Sequence, residues 1–493
     1  MPFFWGGKLN FYSESKYNIN LYFNSEMSVL KKSYKFIVFT YGLFLGWLLS
    51  FPYNGPVLKH LVSVHDLPIA SFSLTYTVTP VVFLILFSFF RIKEKYAKRM
   101  MTWSIIACLL GTLIMFTAYP SFWYPALAVM GISSVLHIIG WSYFYTMEIP
   151  IAKKMPVMAL VIIIGNVIYY FINILHDQIS TSFLLVIMLA LLGGSYWAAT
   201  KTDVKEKIAV QLEREPFPVK LTFVLCLFLF AINLNGGLTF HTIYPSFDQL
   251  FIEYFTYYGI LPYIITLAIM YFYGSKISGM LPVFLGTSFL GLAYLSFGLI
   301  GDNWYSYFIT ETFMQSGWAL LDLTLWTLFG LVASIYGRPL KICGYAFLAN
   351  LFAVFAGGLL GVRILVQLDD YYLISAAFAI AIIFISLIIV PGLSEAIEKD
   401  LRSKLVKTTL QNKPLEENIS LSVNLPQKEL LTPREREITE LLLQGYTNKQ
   451  IADMLHISEN TMKTHTRNIY SKLNVANKRE LLQLAFSSAS FQE

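Results

Sequence analysis

Long apolar stretches separated by short polar loops occupy most of this chain between residues 36 and 390. A helix needs about 20 predominantly apolar residues to cross roughly 30 Å of hydrocarbon. The pattern predicts twelve membrane spans, at residues 36–53, 69–90, 101–119, 122–147, 156–175, 182–199, 219–240, 256–273, 280–300, 304–330, 340–362 and 371–390. We therefore expect an all-α, polytopic membrane domain over residues 36–392, followed by a C-terminal part of ordinary polarity.

Basic residues in the loops indicate which side of the membrane each loop faces, because Lys and Arg accumulate on the cytoplasmic side. Loops on the side opposite the N-terminus hold only Lys59 and Arg363. Loops on the N-terminal side hold Lys31, Lys32, Lys35, Arg91, Lys93, Lys95, Lys98, Arg99, Lys153, Lys154, Lys201, Lys205, Lys207, Arg214, Lys220, Lys276, Arg338 and Lys341. The asymmetry predicts a multi-pass protein of the inner (cytoplasmic) membrane with both termini in the cytoplasm.

The first 35 residues are predicted to form a cytoplasmic N-terminal segment. They lack the basic-then-apolar pattern of a cleavable signal peptide. Met27 stands just before the first basic cluster, so the sequence leaves open whether Met1 or Met27 is the start.

The longest and most charged internal loop, Thr200 to Lys220, follows the sixth span. Twelve spans divided six and six by such a loop resemble the major facilitator architecture, whose halves are structural repeats. Members of that superfamily typically carry a Gly…Asp-Arg…Gly-Arg pattern between spans two and three. Here the loop from Arg91 to Arg99 is basic but has neither the glycines nor the aspartate. The departure argues against a transport activity.

Polar side chains inside two spans are candidate ligand-binding groups, because ionisable residues in a membrane interior need a partner or water. Offsets of 4, 7 and 11 residues place four side chains of span ten within a narrow arc. These are Glu311, Gln315, Trp318 and Asp322. Span four carries His137 and Trp141 four residues apart, and Glu148.

In the major facilitator architecture spans four and ten both line the central cavity. The resemblance therefore predicts that the two stripes form a pocket for a small molecule, with Asp322 its leading residue. The alternative is that these side chains only satisfy one another between helices. This alternative applies above all to His137, and Glu148 can instead lie at the cytoplasmic interface.

After Pro391-Gly392 the chain predicts a linker over residues 393–428, rich in Asn, Ser and Pro towards its end. A domain at 429–493 then begins with a capping box, in which Thr432 caps a helix and Glu435 lies three residues on. The first helix ends at Gly445, a left-handed C-cap. A second short helix spans Asn448 to Leu455.

Ser458 caps a third helix, Glu459 to Leu473, and a fourth runs from Lys478 to Phe486. The core-facing positions of the third helix recur at intervals of 4, 3 and 4, at Met462, Thr466, Ile469 and Leu473. Its other face presents Thr461, Lys463, Thr464, Arg467, Asn468 and Lys472. Such a face can reach phosphates and base edges, as a recognition helix requires.

The segments from Leu431 to Glu437, Gly445 to Ala452 and Ile457 to Leu473 resemble the LuxR/GerE-type helix-turn-helix almost residue by residue. The resemblance implies base contacts by Lys463, Thr464 and Arg467. It also implies phosphate contacts by Lys449, Thr461 and Lys472, and a homodimer on DNA through the fourth helix. Family members usually have Val where this chain has Met462 and Thr466, so we expect some loss of stability. The Thr466 hydroxyl can bond back to the carbonyl four residues earlier.

The whole chain resembles LuxR-family regulators fused to a major-facilitator-like membrane domain. The resemblance implies a one-component regulator whose membrane domain senses a small molecule or membrane signal and controls binding of promoter DNA. A transporter with a coupled regulatory domain is the alternative. The three cysteines lie far apart in apolar segments, and no phosphate-binding loop, metal-spaced cluster or nucleophile triad occurs. We therefore expect no enzyme, metal or cofactor.

Overall fold

The computed structural model describes residues 34–87, 94–117, 119–202, 217–242, 258–274, 280–301, 303–363, 379–388, 390–392, 430–443, 451–452 and 457–477. It also describes residues 247, 277, 377, 448, 455, 480–481 and 484. Outside the described residues lie the predicted N-terminal segment up to residue 33, the loop at 203–216, the linker at 393–428, Gly445 and Lys449. Regular structure in the described part is helical throughout.

Every predicted span contains a helix. The helices are α1 (Lys35–Ser50), α2 (Ile69–Phe87), α3 (Ala97–Ile114), α4 (Trp123–Glu148), α5 (Lys154–Leu175), α6 (Thr181–Thr200), α7 (Val219–Thr242), α8 (Leu261–Tyr273), α9 (Leu281–Ile300), α10 (Trp304–Tyr336), α11 (Pro339–Arg363) and α12 (Ala379–Gly392). Within the described part, nine are long and apolar enough to cross a membrane, and α1, α8 and α12 are shorter apolar helices. The prediction of twelve apolar helices is confirmed.

The helix α10, which carries the polar stripe, has clear ends. Asn303 caps its start, and its side chain accepts a hydrogen bond from the Ser306 amide at 2.9 Å. Its end is Tyr336, six residues beyond the predicted boundary. Gly337 adopts the left-handed conformation (φ 59°) that ends a helix, whereas Gly330 lies within the helix against Tyr145.

Two sets of six helices pack in the same way. The pair α1 and α5 corresponds to α7 and α11, the pair α3 and α4 to α9 and α10, and the pair α2 and α4 to α8 and α10. Between the two halves, α5 packs on α8 and α2 packs on α11. These two contacts are equivalent, because α5 corresponds to α11 and α8 corresponds to α2. The membrane domain is therefore a six-plus-six repeat, as predicted.

Small residues bring paired helices together, as expected where lipid rather than water surrounds them. A Cβ at Gly237 of α7 would lie 2.3 Å from the Val354 carbonyl oxygen of α11. A Cβ at Gly357 of α11 would lie 2.2 Å from the Leu234 carbonyl oxygen of α7. The two backbones thus touch at reciprocal glycines.

A short helix that the apolar pattern does not predict, Pro56–Val64, lies between α1 and α2. Its side chains Val57, Leu58, Leu61 and Val62 are buried. Nine residues are too few to cross a membrane. The hydropathy pattern therefore shows this segment only as part of the loop between two predicted spans.

The C-terminal domain is a separate compact unit with its own apolar core. Its described helices are α13 (Pro433–Leu443) and α14 (Glu459–Lys472), which pack on each other. Buried Ile438 and Leu442 of α13 meet Met462 and Ile469 of α14. Parts of the predicted second and fourth helices are described, and Ile451, Ala452 and Leu481 from them belong to the same core.

Candidate DNA-binding surface and membrane-domain site

The two ends of α14 are held by local hydrogen bonds. The Ser458 hydroxyl accepts a hydrogen bond from the Thr461 amide at 3.1 Å, which confirms Ser458 as the N-cap. Beyond the last turn Asn474 adopts the left-handed conformation (φ 53°), and the Val475 amide donates to the Tyr470 carbonyl at 2.9 Å. The helix therefore presents a fixed set of side chains on each face.

The inner face of α14 is the predicted one. Met462, Thr466 and Ile469 are buried on the helix, and Leu473 follows them into the core. The Thr466 hydroxyl donates to the Met462 carbonyl at 2.9 Å, which confirms the expected bond to the residue four positions earlier. A polar atom is thus accommodated in the core without an unpaired donor.

The outer face of α14 is open to solvent. Thr461, Lys463, Thr464 and Arg467 are all exposed. Lys463 and Arg467 also border a shallow concavity whose lining includes Asn448, Tyr470 and Ser471. The residues predicted to read bases therefore lie side by side on an accessible surface, and their role stays a prediction. Lys449, the remaining predicted phosphate contact outside α14, lies outside the described residues.

Lys472 differs from the other predicted DNA contacts because it has a partner within the domain. Its ammonium group lies 2.6 Å from Oε2 of Glu435, whose side chain is only 5% exposed. The same carboxylate oxygen accepts hydrogen bonds from the Thr432 amide (2.9 Å) and hydroxyl (3.0 Å). The capping box is confirmed, and the structure adds Lys472 to it.

Burial by itself raises the pKa of Glu435. Hydrogen bonds from Lys472 and from the Thr432 amide and hydroxyl outweigh burial, and the pKa of this carboxyl is below its ordinary value. The carboxylate is therefore charged in the folded domain and holds the first turn of α13 against the last turn of α14.

The start of the predicted fourth helix carries a second reciprocal cap. The Glu480 amide donates to Oδ1 of Asn477 at 3.0 Å, and the Ala476 amide donates to Oε2 of Glu480 at 2.6 Å. Leu481 is fully buried. The role of the fourth helix in a dimer stays a prediction, since most of this helix is outside the described residues.

In the membrane domain, the polar stripe of α10 makes two separate pairs. The Gln315 amide donates to Oε1 of buried Glu311 at 2.6 Å. The Tyr263 hydroxyl of α8 donates to Oδ2 of Asp322 at 3.0 Å. Trp318 lies between them along the helix, with its ring close to Gly236 of α7. The stripe therefore faces neighbouring helices of its own half and leaves Asp322 half-buried.

The polar residues of α4 pack mainly inside the N-terminal half. The His137 ring stacks on Phe44 at 3.9 Å, and its Nδ1 lies 3.3 Å from the Met101 carbonyl oxygen. Trp141 donates from Nε1 to the Ile37 carbonyl at 2.8 Å and stacks on Tyr145. Both side chains are buried and held within their own half, which supports the structural alternative for His137 and for Trp141 alike.

Tyr41 of α1 packs against the polar stripe of α4, and the sequence pattern does not reveal it. Its ring lies 4.5 Å from Trp141 and 6.3 Å from His137. Tyr263 also escapes prediction, because one tyrosine among the 31 of an aromatic-rich chain carries no signal of its own.

Lys154 is one of the basic residues expected in a loop, and that assignment is wrong. It is the first residue of α5 and is 1% exposed. Its ammonium group donates to the carbonyls of Thr146 (2.7 Å) and Tyr145 (3.0 Å) at the end of α4. Lys154 therefore satisfies helix-end carbonyls and does not face water.

Residues 429–485 match the family model described as "Bacterial regulatory proteins, luxR family". The C-terminal domain is 47% identical over 55 residues to the HTH-type transcriptional regulator MalT of Vibrio cholerae serotype O1. It is equally similar over 55 residues to MalT of Yersinia pestis (strain Pestoides F). Each match covers 11% of this chain and 6% of the regulator, so the likeness concerns the DNA-binding domain alone.

The membrane domain is similar in fold to solved transporters. A bacterial homologue of the iron transporter ferroportin in its outward-facing state, with soaked iron, has a TM-score of 0.57 at 12% identity. The match covers 74% of this chain and 100% of the ferroportin homologue. The human organic anion transporter MFSD10 has a TM-score of 0.53 at 12% identity, covering 73% and 100%. The chain thus joins a membrane domain whose fold is similar to that of solved transporters to a C-terminal domain that matches the luxR family of bacterial regulatory proteins.

Proposed function

We propose that this protein is a membrane-bound one-component transcription regulator. One observation supports this function above the others: a LuxR-type recognition helix with exposed Lys463, Thr464 and Arg467 is part of the same chain as a twelve-helix membrane domain. In this proposal the chain consists of a cytoplasmic segment at 1–35, a membrane domain at 36–392, a linker at 393–428 and the DNA-binding domain at 429–493.

In this function Lys463, Thr464 and Arg467 contact base edges in the major groove, where bidentate and methyl contacts distinguish base pairs. Thr461 and Lys449 hold phosphates, which sets the register of the helix without reading sequence. Lys472 keeps its bond to Glu435 and directs its remaining donors to a phosphate. Two copies paired through the fourth helix occupy two half-sites of a promoter.

The DNA-binding domain must lie in the cytoplasm, and the loop charges support this. Lys95, Lys98 and Arg99 precede or begin α3, and Lys341 begins α11. If all twelve helices cross the membrane, these positions and the C-terminus face the same side. We accordingly place the protein in the inner membrane with both termini in the cytoplasm. A fluorescent or enzymatic reporter fused after Glu493 that is active only in the cytoplasm tests this placement.

The membrane domain is the input. A small molecule shifts the population between two conformations of this domain only if it binds one of them more tightly than the other. Half-buried Asp322 and the aromatic side chains around it form the candidate ligand site. The conformational change reaches the DNA-binding domain through the linker and alters pairing on the promoter.

The test replaces α1 to α11 with an unrelated membrane anchor and measures transcription of the target genes. Target promoters are first mapped as DNA sites bound in cells by the full chain. We expect the replacement to abolish the response to growth conditions that change wild-type output, while membrane localisation and DNA occupancy remain. Unchanged regulation would show that the membrane domain is only an anchor.

Transport coupled to regulation is the second candidate, and the carboxylates of Glu311 and Asp322 within α10 are the observation that favours it. Transport requires flux of a substrate in reconstituted vesicles that Asp322→Asn or Glu311→Gln abolishes. A sensor requires binding without flux. We propose no catalytic step for either domain.

A further inference from the structure

The face of α10 that carries Asp322 also carries a tryptophan one turn before it and one turn after it. Trp318, Asp322 and Trp326 are spaced by four residues and so lie above one another on the helix. All three are half-buried in the interior of a long helix. Both tryptophans pack against the core formed mostly by helices α1 to α6. The face therefore borders a core to which helices of both halves contribute.

Further aromatic rings surround the carboxylate. Tyr263 of α8 donates to Asp322 at 3.0 Å. Trp326 stacks on Phe347 of α11 at 4.5 Å, which fixes the plane of its indole ring. A tyrosine of α8 bonded to Asp322 and two indole rings on the same face of α10 thus accompany a single carboxylate.

Within the described part of the chain, no positively charged side chain compensates this carboxylate. Neither Asp322 nor Glu311 has a Lys, Arg or His of the described residues within ion-pair distance. A carboxylate removed from water without a cationic partner is costly, because a low dielectric disfavours an isolated charge. A cationic ligand between Asp322 and the tryptophan faces would remove that cost.

We propose that this site binds an organic cation, an ammonium or related group on an apolar body. The cation lies between the carboxylate of Asp322 and the faces of Trp318 and Trp326. Aromatic faces attract cations, most strongly when both are removed from water, and tryptophan does so best. The Tyr263 hydroxyl orients the carboxylate and does not compete with the cation, since it donates to Oδ2 and leaves the other oxygen for the ligand. An anionic ligand would meet two carboxylates on α10.

The inference rests on the proposed function only for its biological meaning, and binding is measured on the purified full chain in detergent. Tetraphenylphosphonium and benzyltrimethylammonium serve as cations of two sizes. Tetraphenylborate, of the same shape as tetraphenylphosphonium and opposite charge, serves as the anion. Isothermal titration gives the dissociation constant, and tryptophan fluorescence gives an independent readout from the ring faces.

We expect saturable binding of at least one cation and none of tetraphenylborate. Asp322→Asn should weaken cation binding at least about tenfold, the effect of removing one charge-assisted interaction. Asp322→Glu should restore most of it. Asp66→Asn, the same change at an exposed loop position, should have no effect. Trp326→Phe keeps a ring that stacks and should weaken binding about threefold, which preserves a test if Asp322→Asn fails to fold.

Absence of binding by both cations, binding that Asp322→Asn leaves unchanged, or preference for tetraphenylborate would each overturn the inference. The outcome is separate from that of the proposed function. Cation binding without any change in target-gene transcription would support this site and contradict the regulator. A response lost on replacement of the membrane domain, with no cation bound, would support the regulator and contradict this ligand class.

Discussion

The ammonium group of Lys472 lies 2.6 Å from the carboxylate of Glu435, and this ion pair joins the end of the recognition helix to the start of the domain's first helix. The lysine side chain is 36% exposed and the glutamate 5% exposed. The pair is therefore neither a solvated surface pair nor a fully buried one. Its carboxylate also caps α13 through Thr432, so one side chain stabilises two helix ends.

Glu435→Gln is expected to lower the free energy of unfolding of the DNA-binding domain by about 1–2 kcal/mol, because Gln keeps the shape but not the charge. Urea unfolding of the fragment from Pro426 to Glu493 measures it. Glu437→Gln is the matched control on the same helix. Glu437 pairs with Arg434 at 2.6 Å in an exposed position, so this change should cost about 0.5 kcal/mol or less. Equal effects of the two changes would contradict the assignment.

The lowered pKa of Glu435 predicts that the stability of the DNA-binding domain depends on pH in acid. Because the folded-state pKa of Glu435 is lowered, its contribution to stability is present above the ordinary value of 4.5 and is lost as the pH falls through the folded-state pKa. The unfolding midpoint of the fragment should therefore fall below pH 4.5 more steeply in the wild type than in Glu435→Gln. Parallel profiles for the two proteins would rule out this carboxyl as the cause.

Lys463→Ala combined with Arg467→Ala should remove the preference for promoter DNA over random DNA and leave the domain folded, since both side chains are exposed. Removing a side chain that hydrogen-bonds a base edge costs about 1–3 kcal/mol of discrimination. Thr461→Ala should weaken binding to both DNAs to a similar extent, because phosphate contacts carry no sequence information. Gel retardation against the two DNAs at fixed salt measures the ratio, and a retained ratio in the double variant contradicts the base contacts.

Thr466→Val is expected to raise the stability of the domain by up to about 1 kcal/mol without changing DNA affinity. The Thr466 hydroxyl is bonded to the carbonyl of Met462 within the helix, so its removal leaves no buried donor unpaired. A second methyl group would then fill the core position. Thermal unfolding of the fragment measures the difference, and a destabilised variant would show that the hydroxyl does more than occupy space.

Gly357→Ala should destabilise the membrane domain, because its Cβ would lie 2.2 Å from the Leu234 carbonyl oxygen and force α7 and α11 apart. The cost of such overpacking is about 1–3 kcal/mol. Gly193→Ala is the control, since a Cβ at that helical position would meet no atom within 4 Å. Unfolding of the purified full chain in detergent compares them. The prediction is wrong if Gly193→Ala is the more damaging change.

Helix positions in the membrane domain could be predicted because each span has to be apolar along its own length. The end of α10 lies six residues beyond the predicted residue 330, and the left-handed residue that follows the helix is Gly337. Lys154 is another residue whose surroundings its own segment does not reveal. Its burial depends on the carbonyls at the end of another helix, which its own segment does not reveal.

The sequence by itself determined the twelve apolar helices, the two domains, and both faces of the recognition helix, because hydropathy and helical periodicity are local properties. It also determined the caps at Ser458 and Thr432, whose bonding partners lie three residues away. Only the tertiary structure decided what depends on distant segments: the pairing of Lys472 with Glu435 across 37 residues, and the hydrogen bond between Tyr263 and Asp322. Such interactions arise from how helices pack, and no periodicity within one helix specifies which ring or charge a neighbour will present.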